Sequence, residues 1–324
     1  MDRKPTVADI QEYLDERNPF GLAGAAVTVV AERNHLIYRV KRRGGDVYAL
    51  RMVNPESYRR KEWISMANEH AILKAVAPTG LGPMVYFLDE QFSPSFLIQE
   101  FVQAACFNDI EPLAEEHLRA AAQAIALLNK QLITLGQLPF LSKYVRRDYA
   151  GSGGVWYYRL ADSIRRMPRR DVLRWAFKIL PLIPRTMAIL VRSVPLLLPQ
   201  VFTLHFDGAH CGNAFWRNGK VLFLDWQKVS LRNDPTFTLV RFATSVGAKG
   251  NVPEGTWQTL IEAYLAVRSV PNFGELAGVR LLERQTADLV WTLWDAARRR
   301  DLSQVEADMA PRYATVGKML HGIR

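Results

Sequence analysis

Cysteine is almost missing from this 324-residue chain; Cys106 and Cys211 are the only two. Two isolated thiols cannot build a disulfide framework, and their spacing offers no zinc site, so the composition fits a reducing compartment such as the cytoplasm. Long apolar runs are missing too. The longest apolar region, Val172 to Leu204, is interrupted by Lys178, Arg185 and Arg192 and by Pro181, Pro184, Pro195 and Pro199. A spanning helix needs about 20 nearly uncharged residues, and Lys or Arg near its centre is costly to insert, so no transmembrane span is expected. The opening MDRKPTVADIQEYL lacks the apolar stretch of a signal peptide. No GxSxG string occurs, so nothing supports a serine-hydrolase elbow. His210 and Cys211 alone offer too few ligands for zinc. Glycine is sparse near the first strands, where Gly21 and Gly24 are the only candidates for a phosphate-cradling loop.

Acidic residues are scarce in one region. Between Leu141 and Gln200 stand twelve Lys or Arg residues against Asp148, Asp162 and Asp171, which accounts for almost the whole net charge of +10. Such a segment is either a solvated helical face or a surface for an anionic substrate, a phospholipid head-group layer or nucleic acid. Trp156, Trp175, Trp257, Trp291 and Trp294 read as helix packing rather than base stacking, so nucleic acid is the weakest of these. Peripheral membrane contact through the basic segment stays open; salt-sensitive binding to anionic vesicles would test it.

With 49% hydrophobic and 23% charged residues, the chain is ordinary globular material, long enough for two lobes. Val7 to Arg17 reads as a helix. Ala25–Val30, Leu36–Lys41, Val47–Val53, Val85–Asp89 and Phe96–Val102 read as five strands, and Tyr58–Val76 as a helix inserted among them, with Trp63 and Ile64 on its apolar face. From Pro112 the pattern turns helical, with Glu115–Leu132, Glu254–Ser269 and Glu275–Arg300 as the clearest segments and Gly151 to Gly154 as a flexible break. The expected architecture is α+β and bilobal: a strand-rich lobe over residues 1–103 and a helical lobe over 104–324.

The chemistry concentrates in LHFDGAHCGNAFWRNGKVLFLDWQ. Asp207 and Asn213 share one loop, and Asp225 follows a short hairpin turned at Asn218-Gly219. Phosphoryl transfer from a nucleotide uses such a set: one carboxylate to orient or deprotonate the attacking hydroxyl, and an Asn with a second carboxylate to hold Mg²⁺ against the phosphates. These strings resemble the aminoglycoside phosphotransferase / choline kinase-like family, whose members share the protein-kinase-like fold and typically read HGDxHxGN, a hairpin, then IDW or LDWQ. The first lobe is similar as well, in NHLIYRV followed by VYALRMV, in NEHAILKAV, and in LIQEFV.

On that resemblance Asp207 is the catalytic Asp, with His205 bracing its loop, and Asn213 and Asp225 are the Mg²⁺ ligands. Arg51 would grip the phosphates, placed by Glu69, while Glu100, Phe101 and Val102 would meet the adenine through backbone groups. The resemblance implies ATP or GTP with Mg²⁺, and a small-molecule hydroxyl as acceptor. Three departures bear on it. Asn213 lies six residues after Asp207 where five is usual, Thr238 stands where the family carries an Asp in a DLA-like string, and no convincing Gly-rich loop is present. They leave open a nucleotide-binding protein without transfer activity, or a basic interaction module. Arg232 is a cation without an assigned role. Glu262, Glu283, Asp288 and Asp295 are candidate carboxylates for a cationic acceptor, while the basic segment favours an anionic or sugar-containing one.

Overall fold

A computed structural model gives the fold and describes residues 3–57, 65–130, 138, 140–141, 143–144, 150–246 and 252–322. The chain opens with α1 (Val7–Arg17), started by a capping box in which the Thr6 side chain accepts from the Asp9 backbone and the Asp9 carboxylate reaches back to the Thr6 N–H. Strands β1 (Ala26–Glu32), β2 (His35–Lys41) and β3 (Val47–Val53) follow as antiparallel neighbours. Helix α2 (Met66–Val76) starts at Ser65, whose hydroxyl accepts from Asn68 N at 3.2 Å. The earlier part of the expected helix, with Trp63 and Ile64, lies outside the described residues. Strands β4 (Val85–Asp89) and β5 (Phe96–Glu100) complete a five-stranded antiparallel sheet of order β1-β2-β3-β5-β4. Its core joins Ile10 and Leu14 of α1 to Leu36, Tyr38, Leu50 and Phe96 on the sheet.

After β6 (Ala105–Cys106) come α3 (Glu115–Asn129), β7 (Lys143–Tyr144), α4 (Ala150–Arg166), α5 (Arg170–Ile179), α6 (Leu182–Arg192), α7 (Val194–Leu197) and β8 (Thr203–Phe206). The hairpin β9 (Ala214–Arg217) and β10 (Lys220–Phe223) precedes β11 (Val229–Arg232). Four helices close the chain: α8 (Phe237–Val246), α9 (Glu254–Val267), α10 (Phe273–Arg299) and α11 (Val305–Gly322).

Two compact units result, and neither is continuous in sequence. The first holds residues 1–111, 134–141 and 212–229, and the second holds the remainder. The sequence expectation of one boundary at Gln103 therefore misses a return crossing. Its cause is local pairing: β9 lies antiparallel to β6, and Phe223 N donates to Leu81 O at 2.8 Å, which ties the hairpin to the segment after α2.

The Gly151–Gly154 break is not seen, since α4 runs through it. Packing overrides the poor helix propensity of glycine there. Trp156 and Leu160 bury on the same helix, and a Cβ at Gly153 would meet Met187 Sδ at 3.2 Å, so the bare glycine lets α6 come close. In the Val172–Leu204 region the prolines cut the apolar run into three short helices, and none of the described helices is long and apolar enough to cross a membrane. Arg169, Arg170, Arg185 and Arg192 are exposed, while Arg165 and Arg166 bind the buried carboxylate of Asp162.

Candidate active site

In the first unit, β3 carries Arg51 inward and α2 carries Glu69 to meet it. Both side chains are buried, at 7% and 2% exposure, with Arg51 Nε 3.3 Å from Glu69 Oε1. A second carboxylate arrives from the hairpin, placing Asp225 Oδ1 2.5 Å from Arg51 Nη2. Asn218 and Gly219 both take positive φ, which a tight two-residue hairpin turn requires. Ala214 pairs with Phe223, and Leu224 N donates to Asn213 O at 2.9 Å, so the ladder brings Asp225 back one residue beyond Asn213. Asp225 itself has φ 69°, a left-handed conformation uncommon outside glycine.

The electrostatics of this trio follow from burial. Desolvation opposes the Arg51 charge, but Glu69 and Asp225 more than offset it and hold the guanidinium above its ordinary pKa. Burial pushes the Glu69 carboxyl up against the pull of Arg51. Asp225 is half-buried; burial raises its pKa, but Arg51 outweighs that and leaves it below the ordinary carboxylate value.

The remaining first-unit candidates lie at the end of β5. Glu100 pairs with Arg217 and accepts from Met84 N at 3.3 Å. Phe101 and Val102 follow the last laddered residue, and the Arg39 guanidinium lies 5.6 Å from the Phe101 ring. Gly21 and Gly24 sit before β1, in the turn after α1, where both have positive φ. The turn between β1 and β2 is Arg33-Asn34, so these glycines do not form a loop over that hairpin.

In the second unit, β8 delivers His205 and Asp207. Asp207 is gripped from β11: Ser230 Oγ donates to Oδ1 at 2.7 Å, and Arg232 Nη2 donates to Oδ2 at 3.0 Å. Ser230 and Arg232 are two apart on one strand and so face the same side. Sequence reasoning left Arg232 unassigned and overlooked Ser230; the i, i+2 spacing just before the Asn233-Asp234-Pro235 turn was the available signal. That turn is anchored in its own right, with Asp234 accepting from Thr236 N and from Arg280.

His205 is fully buried. Its Nε2 is 3.0 Å from Thr203 Oγ1 and its Nδ1 is 2.9 Å from Thr238 Oγ1, so Thr238 of α8 meets the loop histidine. Asn129 secures the same place by donating to Leu204 O at 2.7 Å. Burial, reinforced by Arg232, holds the imidazole pKa well below its ordinary value, so His205 is neutral. The unfolded chain takes up this proton near pH 6.5 and the folded one does not, so stability falls as pH drops below that value. The expected slope is about 1.4 kcal/mol per pH unit from this group. Urea titrations between pH 7.5 and 5 should show it, and His205→Gln should flatten the curve; an equal slope in the variant would contradict the assignment.

The late carboxylates considered for a cationic acceptor are all engaged. Glu262 lies near Arg119, and Glu283 pairs with Arg280. Asp288 holds Arg284 and Arg312, while Asp295 pairs with Arg298 and Arg299.

No protein-family model and no curated protein matches the chain. Solved structures do match. A choline/ethanolamine kinase family protein from Mesorhizobium loti is 16% identical, with 98% of this chain and 99% of that one covered and a TM-score of 0.59. Plasmodium vivax ethanolamine kinase is 11% identical, over 100% of this chain and 93% of that one, with a TM-score of 0.64. A spectinomycin phosphotransferase solved with ADP and spectinomycin is 13% identical, over 98% of each chain, again with a TM-score of 0.64. The α+β fold of this chain, a five-stranded antiparallel sheet joined to a helical region, is the kinase-like fold of those structures.

Proposed function

We propose that the protein is a small-molecule phosphotransferase that moves the γ-phosphoryl group of ATP or GTP to a hydroxyl. The observation that carries this reading is the buried Arg51–Glu69–Asp225 trio, with Asn213 laddered beside Asp225 on the same hairpin. A buried, permanently charged guanidinium held by two carboxylates is costly as a stability device, whereas it suits a site that must grip phosphate oxygens. Neighbours solved with ADP support nucleotide use.

In this reading Arg51, set by Glu69, binds the phosphates, and the backbone of Glu100, Phe101 and Val102 meets the base. Asn213 and Asp225 offer two hard oxygen ligands, and among the described residues no cluster of three or more His, Cys, Asp or Glu forms a dedicated metal cage. That donor set fits Mg²⁺, which keeps waters and takes phosphate oxygens as further ligands. When bound, Mg²⁺ would supply charge neutralisation on the transferring phosphate. Asp207 orients the acceptor hydroxyl, held by Ser230 and Arg232, with neutral His205 bracing the strand against Thr238.

The test is thermal unfolding with ATP and with GTP, each with and without Mg²⁺, on the native chain and on Asp225→Ala. A ligand at about 100 times its Kd adds about 2.7 kcal/mol to a folded protein that binds it. A Mg²⁺-dependent rise in midpoint that disappears in Asp225→Ala is expected. No rise with either nucleotide would sink the reading.

A further inference from the structure

The second unit contains a cavity of about 120 Å³ lined by Trp156 of α4, Phe237 and Arg241 of α8, and Arg280, Glu283 and Arg284 of α10. On the same measure a single water needs about 10–15 Å³, so there is room for an oxyanion group. The lining is helical in pattern: Arg280, Glu283 and Arg284 recur at i, i+3 and i+4 on one face of α10, and Phe237 and Arg241 at i and i+4 on α8.

Charge in this neighbourhood does not balance. Asp207 holds Arg232, Asp234 and Glu283 hold Arg280, and Asp288 holds Arg284 and Arg312. Arg241 is left over. Its guanidinium has no ion pair among the described residues, and its Nε is buried without a hydrogen-bond partner. Burial, with Arg284 repelling it, holds the Arg241 pKa below the ordinary arginine value. Arg284 Nε is likewise buried without a partner. Such groups are expensive to keep in a fold unless something occupies the space beside them.

The cavity also adjoins the Asp207 machinery. The Arg232 guanidinium carbon stacks 3.6 Å from the centre of the Phe237 ring, and the Arg280 guanidinium carbon lies 4.8 Å from it. One aromatic ring therefore separates the cavity from the Asp207–Arg232 pair.

We infer that this cavity binds an oxyanion group, carboxylate or phosphate, of the hydroxyl compound that accepts the phosphoryl group, with Arg241 as its principal ligand and Arg284 as its second. The inference rests on the phosphotransferase reading for the word acceptor, and on the cavity alone for the anion. Guanidinium forks match oxyanions in geometry and charge, and they exclude cationic acceptors such as choline.

Isothermal titration of the full chain with inorganic phosphate, sulfate and acetate, and with choline as a cationic control, tests this. Arg241→Gln and Arg284→Gln are compared with Arg192→Gln, an exposed arginine elsewhere on the second unit. The expected result is anion binding that weakens about 10-fold or more in Arg241→Gln, the scale of a lost charged hydrogen bond, and is unchanged in Arg192→Gln. Without anion, Arg241→Gln should unfold at a higher temperature than the native chain, because it no longer buries an unpaired charge. Anion affinity unchanged in both cavity variants, no anion binding at tens of millimolar, or preferential binding of choline would each overturn the inference. ADP titration of the same variants keeps the two ideas separate. ADP binding unaffected by Arg241→Gln supports the inference, whereas absence of ADP binding in every form sinks the phosphotransferase reading and leaves the anion result standing.

Discussion

Replacing Glu69 with Ala should destabilise the protein by about 3–5 kcal/mol, the cost of breaking a buried ion pair by removing one partner. Arg51 is only 7% exposed and cannot return to water without opening the β3–α2 packing. Asp225 remains 2.5 Å away, but its side chain is 32% exposed, so its carboxylate is partly solvated and does not replace a partner at 2%. The Arg51 charge would then be buried against a single half-exposed carboxylate.

The buried pair should also respond asymmetrically to single and double replacement. The double replacement Arg51→Met with Glu69→Leu should cost far less than Glu69→Ala, because it removes both charges and their desolvation together. It should also remove Mg²⁺-nucleotide protection, since no guanidinium is left for phosphate. Urea unfolding of the two variants beside the native chain measures the difference. A loss below about 1 kcal/mol for Glu69→Ala, the range of an exposed ion pair, would show that Arg51 finds water or another partner. Ligand binding would then no longer be needed to explain why the trio is kept.

The parts of the fold legible from sequence were those governed by local rules. Val7–Arg17 reads as α1, apolar and β-branched runs mark the strands of the five-stranded sheet, and Asn218-Gly219 marks the hairpin that carries Asp225. What escaped depends on contacts between residues far apart in the chain. Arg232 reaches Asp207 across 25 positions, and Arg280 reaches Asp234 across 46. No periodicity marks those pairs. The glycines at 151–154 were misread for a related reason: propensity describes an isolated helix, whereas α4 is held by buried Trp156 and by the close approach of Met187. The basic segment shows the same limit. Its arginines look alike in sequence, yet two of them serve Asp162, while Arg159 stacks 3.8 Å from the Trp291 ring centre. Arg241, outside that segment, is a half-buried cation without an ion pair among the described residues.

Asp207→Asn should reduce phosphoryl transfer by about 10²–10⁴-fold, the usual contribution of a positioned general base, while leaving the fold nearly intact. The Asn side chain keeps one carbonyl oxygen to accept from Ser230 Oγ and from Arg232, so the β8–β11 contact survives. The loss should fall on kcat with KM little changed, because the group acts on the hydroxyl as it attacks rather than on the bound ground state. Arg232→Gln tests the positioning half of the idea. It removes the guanidinium that fixes Asp207 Oδ2 and stacks on Phe237, and a displacement of about 1 Å in a reacting group can cost about 10²-fold in rate. The extra residue between Asp207 and Asn213 gives the experiment its edge. Counted back from Asn213 by the usual five, the catalytic position falls on Gly208, and an Asp207 displaced from the reaction would serve only as the anchor for Arg232. In that case Asp207→Asn would leave kcat within a few-fold of native. A large loss of kcat with unchanged stability would mean instead that β11, through Ser230 and Arg232, restores to Asp207 the place that the longer loop would otherwise have taken from it.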